Sequence, residues 1–154
     1  MEHPHFPLLE LPVELRNQIY SFAFDTHIEL ACDDFYVNRP FRREWPALFA
    51  CNQQIRTEAI EQYYRHTTFS YTGAEALSRW LATFTPKQRA RLGHLRAPLC
   101  WRDVRSAKGF LDTVLTILER RGVGVQREVL FIVLQGEGMV SLIDLDKMFA
   151  TSKS

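Results

Sequence analysis

The stretch TTFSYTGAEALSRWLATFTPKQRARLGHLRAPLCW, residues 67–101, decides the fold class because it predicts a strand, a helical segment and a second strand in that order. Its first five residues are β-branched, aromatic or small, which is typical of a short strand. Thr72, followed three residues later by Glu75, predicts a capped helix start. Residues 94–101 predict the next strand, in which Pro98 fits best at an edge or a bulge.

The same alternation continues toward the C terminus. Ser106 is predicted to cap a long helix, since serine is a favoured N-cap residue. VLFIVL, residues 129–134, lacks polar alternation, which predicts a strand covered on both faces. Met139 to Phe149 predict a final helix. Connections of this length favour parallel neighbouring strands with right-handed crossovers.

Two amphipathic helices are predicted before this alternation begins. The first runs from Pro12, a residue suited to the first turn of a helix, to about Phe24. Its apolar stripe has helical spacing and comprises Leu8, Leu11, Leu15, Ile19 and Phe22. The second begins at Pro46 and carries Leu48, Cys51, Ile55, Ala59 and Tyr63 on one face. Residues 27–30 and 35–37 between the helices predict a weak hairpin.

We therefore predict one α+β domain over residues 1–154, in which an N-terminal helical pair precedes a strand-helix-strand-helix-strand layer with a partly parallel sheet. Residues 8–72 form the helical part, 73–149 form the α/β part and 150–154 form a frayed tail. A chain of this length buries enough surface to support a core of its own.

Composition and cysteine content indicate an intracellular protein. Hydrophobic residues make up 46% and charged residues 24%, an ordinary globular balance. No apolar run reaches the roughly 18 residues of a membrane span, and MEHPHFP at the N terminus lacks the pattern of a secretory signal. The cysteines Cys32, Cys51 and Cys100 are widely spaced, so we expect reduced, mostly buried thiols in the cytoplasm or nucleus.

Neither a metal site nor an enzyme is predicted. The cysteines lack metal-ligand spacing, and His3 and His5 have no partners, so we expect no cofactor. No nucleophile stands in a recognisable catalytic motif, which favours a non-enzyme. Gly136 and Gly138 follow a strand as in a phosphate-binding loop, but Ser141 replaces the third glycine, which favours a tight turn.

The charge distribution suggests one alternative function. Residues 79–127 carry eleven Lys and Arg against three Asp and Glu, a net charge of +8. This excess predicts an anion- or nucleic-acid-binding surface, with Trp80 and Trp101 as stacking platforms. Its candidate residues are Lys87, Arg89, Arg91, Arg96 and Arg102. The competing interpretation is a solvated charged face with both tryptophans in the core.

Two segments of the first half resemble a large family of fungal F-box-like proteins. LLELPVELRNQIYSF, residues 8–22, matches the family's Leu-Pro-x-Glu-Leu-Arg-x-x-Ile-Tyr helix, and ALFACNQQIRTEAIEQYYRHTTFSY, residues 47–71, matches its second helix and following strand. The matched residues are Leu11, Pro12, Glu14, Leu15, Arg16, Ile19, Tyr20, Cys51, Asn52, Gln54, Ile55, Glu58, Ala59, Tyr64, Thr68 and Phe69. With LGHLRAPL, the resemblance extends to about residue 99.

The resemblance implies a protein-interaction module. An F-box docks on the Skp adaptor of a cullin-type ubiquitin ligase, while the rest of the chain holds a substrate. Leu11, Pro12, Leu15 and Ile19 would then be the adaptor-facing residues, and the protein would act as a substrate adaptor. The same apolar stripe also fits a helix that packs on its own core. Exposure of these side chains distinguishes the two interpretations.

Overall fold

A computed structural model describes residues 7–25, 27–29, 46–71 and 73–151, with the backbone alone described for 27–29 and Pro98. Its helices are α1 Val13–Phe24, α2 Leu48–Cys51, α3 Gln53–His66, α4 Ala74–Ala82, α5 Pro86–Arg89, α6 Val104–Arg120 and α7 Leu142–Thr151. Its strands are β1 His27–Glu29, β2 Thr68–Ser70, β3 His94–Trp101, β4 Leu130–Leu134 and β5 Gly138–Ser141. This confirms an α+β fold with a partly parallel sheet.

The described strands form one sheet in chain order, β1-β2-β3-β4-β5. The first four run parallel, and β5 turns back on β4 as an antiparallel partner. The strand-helix-strand-helix-strand pattern predicted from residue 67 onward is confirmed. The first strand of the predicted hairpin is present as β1, and Ile28 lies opposite Phe69 in a parallel pair with β2. Residues 35–37, its second strand, lie outside the described residues.

The connecting helices lie on one face of this sheet. Right-handed crossovers between parallel strands taken in chain order place α3, α4 and α6 on the same side. The burial along β4 agrees, since Leu130, Ile132 and Leu134 are buried while Phe131 and Val133 are half-buried. Within the described residues, the face of β4 that carries Phe131 and Val133 is therefore only partly covered, whereas the prediction has both faces covered. Both faces carry apolar side chains, so the sequence shows no alternation.

Pro98 lies where the pairing of β3 with β4 changes register. Arg96 pairs with Phe131 and Cys100 with Val133, so the register shifts between these two pairs. Proline lacks the N–H that a regular ladder requires, and a bulge accommodates it within an inner strand. The predicted bulge position is confirmed.

The second predicted helix is divided in two at Asn52. This residue has extended backbone angles, φ −157° and ψ 145°, and its side-chain oxygen accepts hydrogen bonds from the backbone N–H of Gln54 at 2.7 Å and Ile55 at 3.4 Å. Asn52 therefore ends α2 and caps α3, because an asparagine side chain competes well for the first free N–H groups of a helix.

Two other helix starts differ from the prediction. Helix α6 begins at Val104, because Asp103 rather than Ser106 is the N-cap and accepts from the Ser106 N–H at 2.8 Å. The final helix begins only at Leu142, because Gly138–Ser141 pair with β4 as β5. Thr72, the predicted cap of α4, lies outside the described residues, and Gly73 is the N-cap.

The Gly-x-Gly motif forms the turn between β4 and β5. Gly136 and Gly138 have φ of 91° and 78°, a region that glycine adopts without steric cost. The Glu137 N–H donates to the Leu134 carbonyl at 3.1 Å, which closes the turn. A strand rather than a helix follows, so the motif has no helix N-terminus to offer a phosphate. The tight-turn interpretation is confirmed.

An aromatic cluster joins the N-terminal helices to the sheet and to α4. Neighbouring ring centroids lie between 4.6 and 6.4 Å apart. Its members are all buried and comprise Phe24, Phe49, Tyr63, Tyr64, Phe69, Trp80 and Phe84. The two parts of the chain therefore share one hydrophobic core.

The thiols are more accessible than the sequence suggests. Cys51 and Cys100 are both free and exposed, so the expectation of mostly buried thiols is wrong for these two. Cys51 is the last residue of the short α2, and Cys100 follows the bulge in β3. Neither side chain faces the hydrophobic core. Cys32 lies outside the described residues.

Candidate protein-interaction site

Helix α1 exposes the apolar stripe that the sequence predicts. Leu15 is 45% exposed, Ile19 38% and Phe22 80%. Their spacings of four and three residues place them on one face of the helix. We call these three residues the exposed apolar ridge. The face toward the core carries Tyr20 and Phe24, which are buried. Leu8, the first residue of the predicted stripe, packs against the core, so core packing accounts for Leu8 but not for the exposed apolar ridge.

The turn before α1 extends this surface. Leu8–Glu10 form one 3₁₀ turn, Leu11 is half-buried and Pro12 is exposed at the N-cap. Large exposed hydrophobic residues in the described ranges are Leu9, Val13, Leu15, Ile19, Phe22, Leu99 and Met139. Five of these seven lie between residues 9 and 22. Such a concentration is typical of an interaction surface rather than of scattered surface hydrophobics.

A hydrogen-bonded cluster fixes α1 to α3. Arg16 donates to both carboxylate oxygens of Glu58, from Nε at 2.8 Å and from Nη2 at 2.8 Å. Glu58 also accepts from the Tyr20 hydroxyl at 3.1 Å and from Gln54 Nε2 at 2.9 Å. The pair is largely buried, with side chains 12% and 19% exposed. A bidentate arginine–carboxylate pair of this kind is strong and directional.

These contacts keep the pair ionised at neutral pH. Side-chain hydrogen bonds, first from Arg16 and then from Gln54, lower the pKa of Glu58 from 4.5 to about 2. The hydrogen bond to Glu58 raises the pKa of Arg16 above its ordinary value. Burial, with the hydrogen bond to Glu58, raises the pKa of Tyr20. Tyr20 therefore donates as a neutral hydroxyl. At neutral pH an ion pair between Arg16 and Glu58 joins α1 to α3.

Glu58→Gln is expected to lower the free energy of unfolding at pH 7 by about 2 kcal/mol, because a hydrogen-bonded charge is lost beside Arg16. The pKa of Glu58 is lower in the folded than in the unfolded state. Its stabilisation is therefore present above about pH 4.5 and is lost as the pH falls through about 2. Urea denaturation from pH 7 to pH 2 should show the variant and the wild type converging in acid.

Glu61→Gln is the matched control for this experiment. Glu61 pairs with Arg65 on the same helix, but the two side chains are 48% and 62% exposed. Exposed pairs of this spacing contribute about 0.3–0.5 kcal/mol, so this variant should resemble the wild type at every pH. A stability difference for Glu58→Gln that stays constant down to pH 2 would contradict the assignment.

Twelve of the sixteen matched family residues divide into two groups. The first group stabilises the fold. Its buried members are Tyr20, Ile55, Ala59, Tyr64 and Phe69. Asn52 caps α3, and Arg16, Gln54 and Glu58 form the cluster described above. The other group, Pro12, Leu15 and Ile19, is exposed. The sequence identified Arg16 and Glu58 only as motif residues. A spacing of four from Arg16 to Tyr20 and on to Phe24 was the available signal that Arg16 faces inward.

The predicted anion-binding residues do not converge. Lys87 and Arg91 precede β3, whereas Arg102 follows it. An eight-residue strand separates its ends by roughly 23 Å. Arg89 donates from Nη1 to the carbonyls of Leu81 at 3.2 Å and Phe84 at 2.8 Å, so it caps the end of α4.

The remaining members of that set also serve the fold. Arg96 lies within β3 and donates to the Ser70 hydroxyl at 3.2 Å. Trp80 is 4% exposed, and the half-buried Trp101 packs on Phe110 with ring centroids 5.1 Å apart. Neither tryptophan is placed as an open stacking platform.

The parts of the chain that the structure describes hold neither a membrane-spanning helix nor a cluster of metal ligands. Across 7–25, 27–29, 46–71 and 73–151, no helix combines the length and the apolar character needed to span a membrane. In the same ranges, no three or more His, Cys, Asp or Glu side chains lie together as metal ligands would.

Comparisons with protein-family models, with curated proteins and with solved structures found no match to this chain. The resemblance to F-box-like proteins therefore depends on the motif residues themselves and on where the fold places them.

Proposed function

We propose that the protein is an intracellular interaction module of the F-box-like type, which binds a Skp-type adaptor through Leu11, Pro12 and the exposed apolar ridge. One observation carries the proposal. Leu15 and Ile19, which the resemblance assigns to the adaptor, are 45% and 38% exposed on a helix whose other face is packed on the core.

The geometry of the ridge suits docking in a groove. Leu15, Ile19 and Phe22 occupy positions i, i+4 and i+7, the spacing of anchor residues when an amphipathic helix lies in a hydrophobic groove. Complete burial of an aliphatic or aromatic side chain contributes about 1.5–3 kcal/mol. Because these side chains are 45%, 38% and 80% exposed in the free protein, the burial still available to them offsets part of the entropic cost of association. In the extended form of the proposal, the protein is a substrate adaptor of a cullin-type ligase, and the substrate binds elsewhere on the chain.

Leu15→Asp and Ile19→Asp are each expected to weaken binding to a purified Skp adaptor by at least about 30-fold, because each places a charge in the apolar contact. Both side chains are substantially exposed in the free protein, so the free energy of unfolding should change by less than about 1 kcal/mol. Titration calorimetry measures the affinity, and urea denaturation confirms the fold.

Leu99→Asp is the matched control. Leu99 is 57% exposed but lies on β3, outside the α1 segment, so this variant should bind as tightly as the wild type. Absence of binding by folded wild-type protein would refute the adaptor role. Undiminished binding by both ridge variants would refute the role of the ridge.

A further inference from the structure

The guanidinium of Arg16 contacts two separate parts of the chain at once. Its Nε and Nη2 atoms face the Glu58 carboxylate, each at 2.8 Å. Its Nη1 atom donates to the backbone carbonyls of Leu11 at 2.5 Å and Leu9 at 3.4 Å. One edge of the planar group therefore binds α3, and the opposite end binds the turn that leads into α1.

The backbone of this turn leaves the Leu9 carbonyl without an N–H donor. The Glu10 N–H donates to Pro7 at 2.9 Å and the Leu11 N–H donates to Leu8 at 3.3 Å, in the 3₁₀ pattern. The next bond in that pattern would join the N–H of residue 12 to the Leu9 carbonyl. Residue 12 is proline, which has no N–H. Arg16 supplies a donor where Pro12 cannot.

The orientation of Arg16 is itself set from α3. Glu58 is held by Gln54 on its own helix and by Tyr20 on α1, so the carboxylate that receives the guanidinium has a defined position. With 12% of its side chain exposed, Arg16 has little room for other rotamers. The chain of contacts runs from α3 through Glu58 and Arg16 to the turn.

We infer that Arg16 is the positioning residue of the docking surface. It fixes the turn that leads into α1, up to Leu11 and Pro12, against that helix, so that the turn and the exposed apolar ridge form one continuous surface. Fixing a surface before binding lowers the entropic cost of association. The inference rests on the proposed function for the partner, but the geometry of the turn can be tested without it.

The test compares Arg16→Lys with Arg56→Lys. Lysine keeps the charge and can pair with Glu58, but its single ammonium cannot also reach two carbonyls in the guanidinium geometry. Arg56 likewise donates to a backbone carbonyl, that of Phe49 at 2.6 Å, so Arg56→Lys loses the same kind of bond away from the turn.

Hydrogen exchange of the Glu10 and Leu11 amides is the first measurement. We expect Arg16→Lys to accelerate their exchange at least about tenfold, with the α3 amides unchanged, and Arg56→Lys to leave the turn amides at the wild-type rate. Unchanged exchange in Arg16→Lys would overturn the inference. If Arg16→Lys does not fold, both variants are made with Gly109→Ala, a helix-stabilising change at a site with no atom within 4 Å of the new methyl group.

Affinity for the purified Skp adaptor is the second measurement. We expect about a tenfold loss in Arg16→Lys and no loss in Arg56→Lys. Equal affinities of Arg16→Lys and wild type would overturn the inference. If the wild type does not bind, the proposed function fails, and amide exchange still decides whether Arg16 positions the turn.

Discussion

Phe69→Ala is expected to lower the free energy of unfolding by about 4 kcal/mol. Phe69 is 2% exposed on β2, and its ring centroid lies 5.6 Å from that of Tyr63 and 5.1 Å from that of Trp80. The substitution leaves a cavity between α3 and α4 that their backbones cannot close. Domains of this size are stable by about 5–15 kcal/mol, so a large share of the stability would be lost.

Urea denaturation followed by tryptophan fluorescence and by far-ultraviolet circular dichroism measures this effect. Because Phe69 contacts both the helical part and the α/β part, we expect both probes to report one coincident transition in the wild type and in the variant. Phe22→Ala, at an 80% exposed position, is the control and should cost less than about 0.5 kcal/mol. Two separate transitions would contradict the prediction of a single domain.

Gly93→Ala is expected to lower the free energy of unfolding by about 3 kcal/mol. A Cβ atom at residue 93 would lie 2.0 Å from the carbonyl oxygen of Arg65 and 2.9 Å from its carbonyl carbon. The Gly93 N–H also donates to the Tyr64 carbonyl at 2.9 Å. The methyl group would therefore force the end of α3 away from the start of β3 and strain that hydrogen bond.

The same substitution at Gly109 should have the opposite effect on the free energy of unfolding. Gly109 lies within α6, and a Cβ atom there would meet nothing within 4 Å. Alanine is favoured over glycine inside a helix by about 1 kcal/mol, so Gly109→Ala should raise the stability in the same urea experiment. A loss below about 1 kcal/mol for Gly93→Ala would show that the two segments are not in the close contact described.

Apart from β5, the strands and helices from residue 67 onward could be predicted because local signals accompany them. Thr85 and Gln88 form a capping box at the start of α5, a pattern that the spacing of these two residues signals, and Pro98 lies at the register shift. The division at Asn52 could not be seen from periodicity, because the apolar spacing from Leu48 to Tyr63 continues across it. A side chain that competes for helix N–H groups changes the backbone without disturbing the apolar pattern.

Features that depend on residues far apart in the chain could not be predicted from local sequence patterns. Strand β1 takes its register from β2, some forty residues later, and β5 forms because β4 offers a partner edge. Gly93 follows α5 and therefore resembles a helix C′ residue. The structure shows that its absent side chain instead admits the Arg65 carbonyl, a contact between two segments that no local pattern encodes.

The candidate site was predicted in its residues but not in its exposure. Helix α1 has apolar residues on two faces, with Leu15 and Ile19 on one and Tyr20 and Phe24 on the other. Hydrophobic periodicity detects both apolar faces but does not show which of them packs on the core. Arg16 lies on the inward face, and its charge gives that face the character of a solvated surface. The burial of Tyr20 and Phe24 and the ion pair of Arg16 with α3 together explain why this face is the inward one.

The agreement between strand order and chain order has a consequence for synthesis on the ribosome. Among β1 to β4, each strand pairs with the strand that was synthesised just before it. No later strand has to be inserted between two strands that have already paired. Short separations between partners speed folding, so each strand can meet its partner as soon as both have left the ribosome. The nascent chain can extend its sheet one unit at a time, with the β4–β5 reversal completing the last edge.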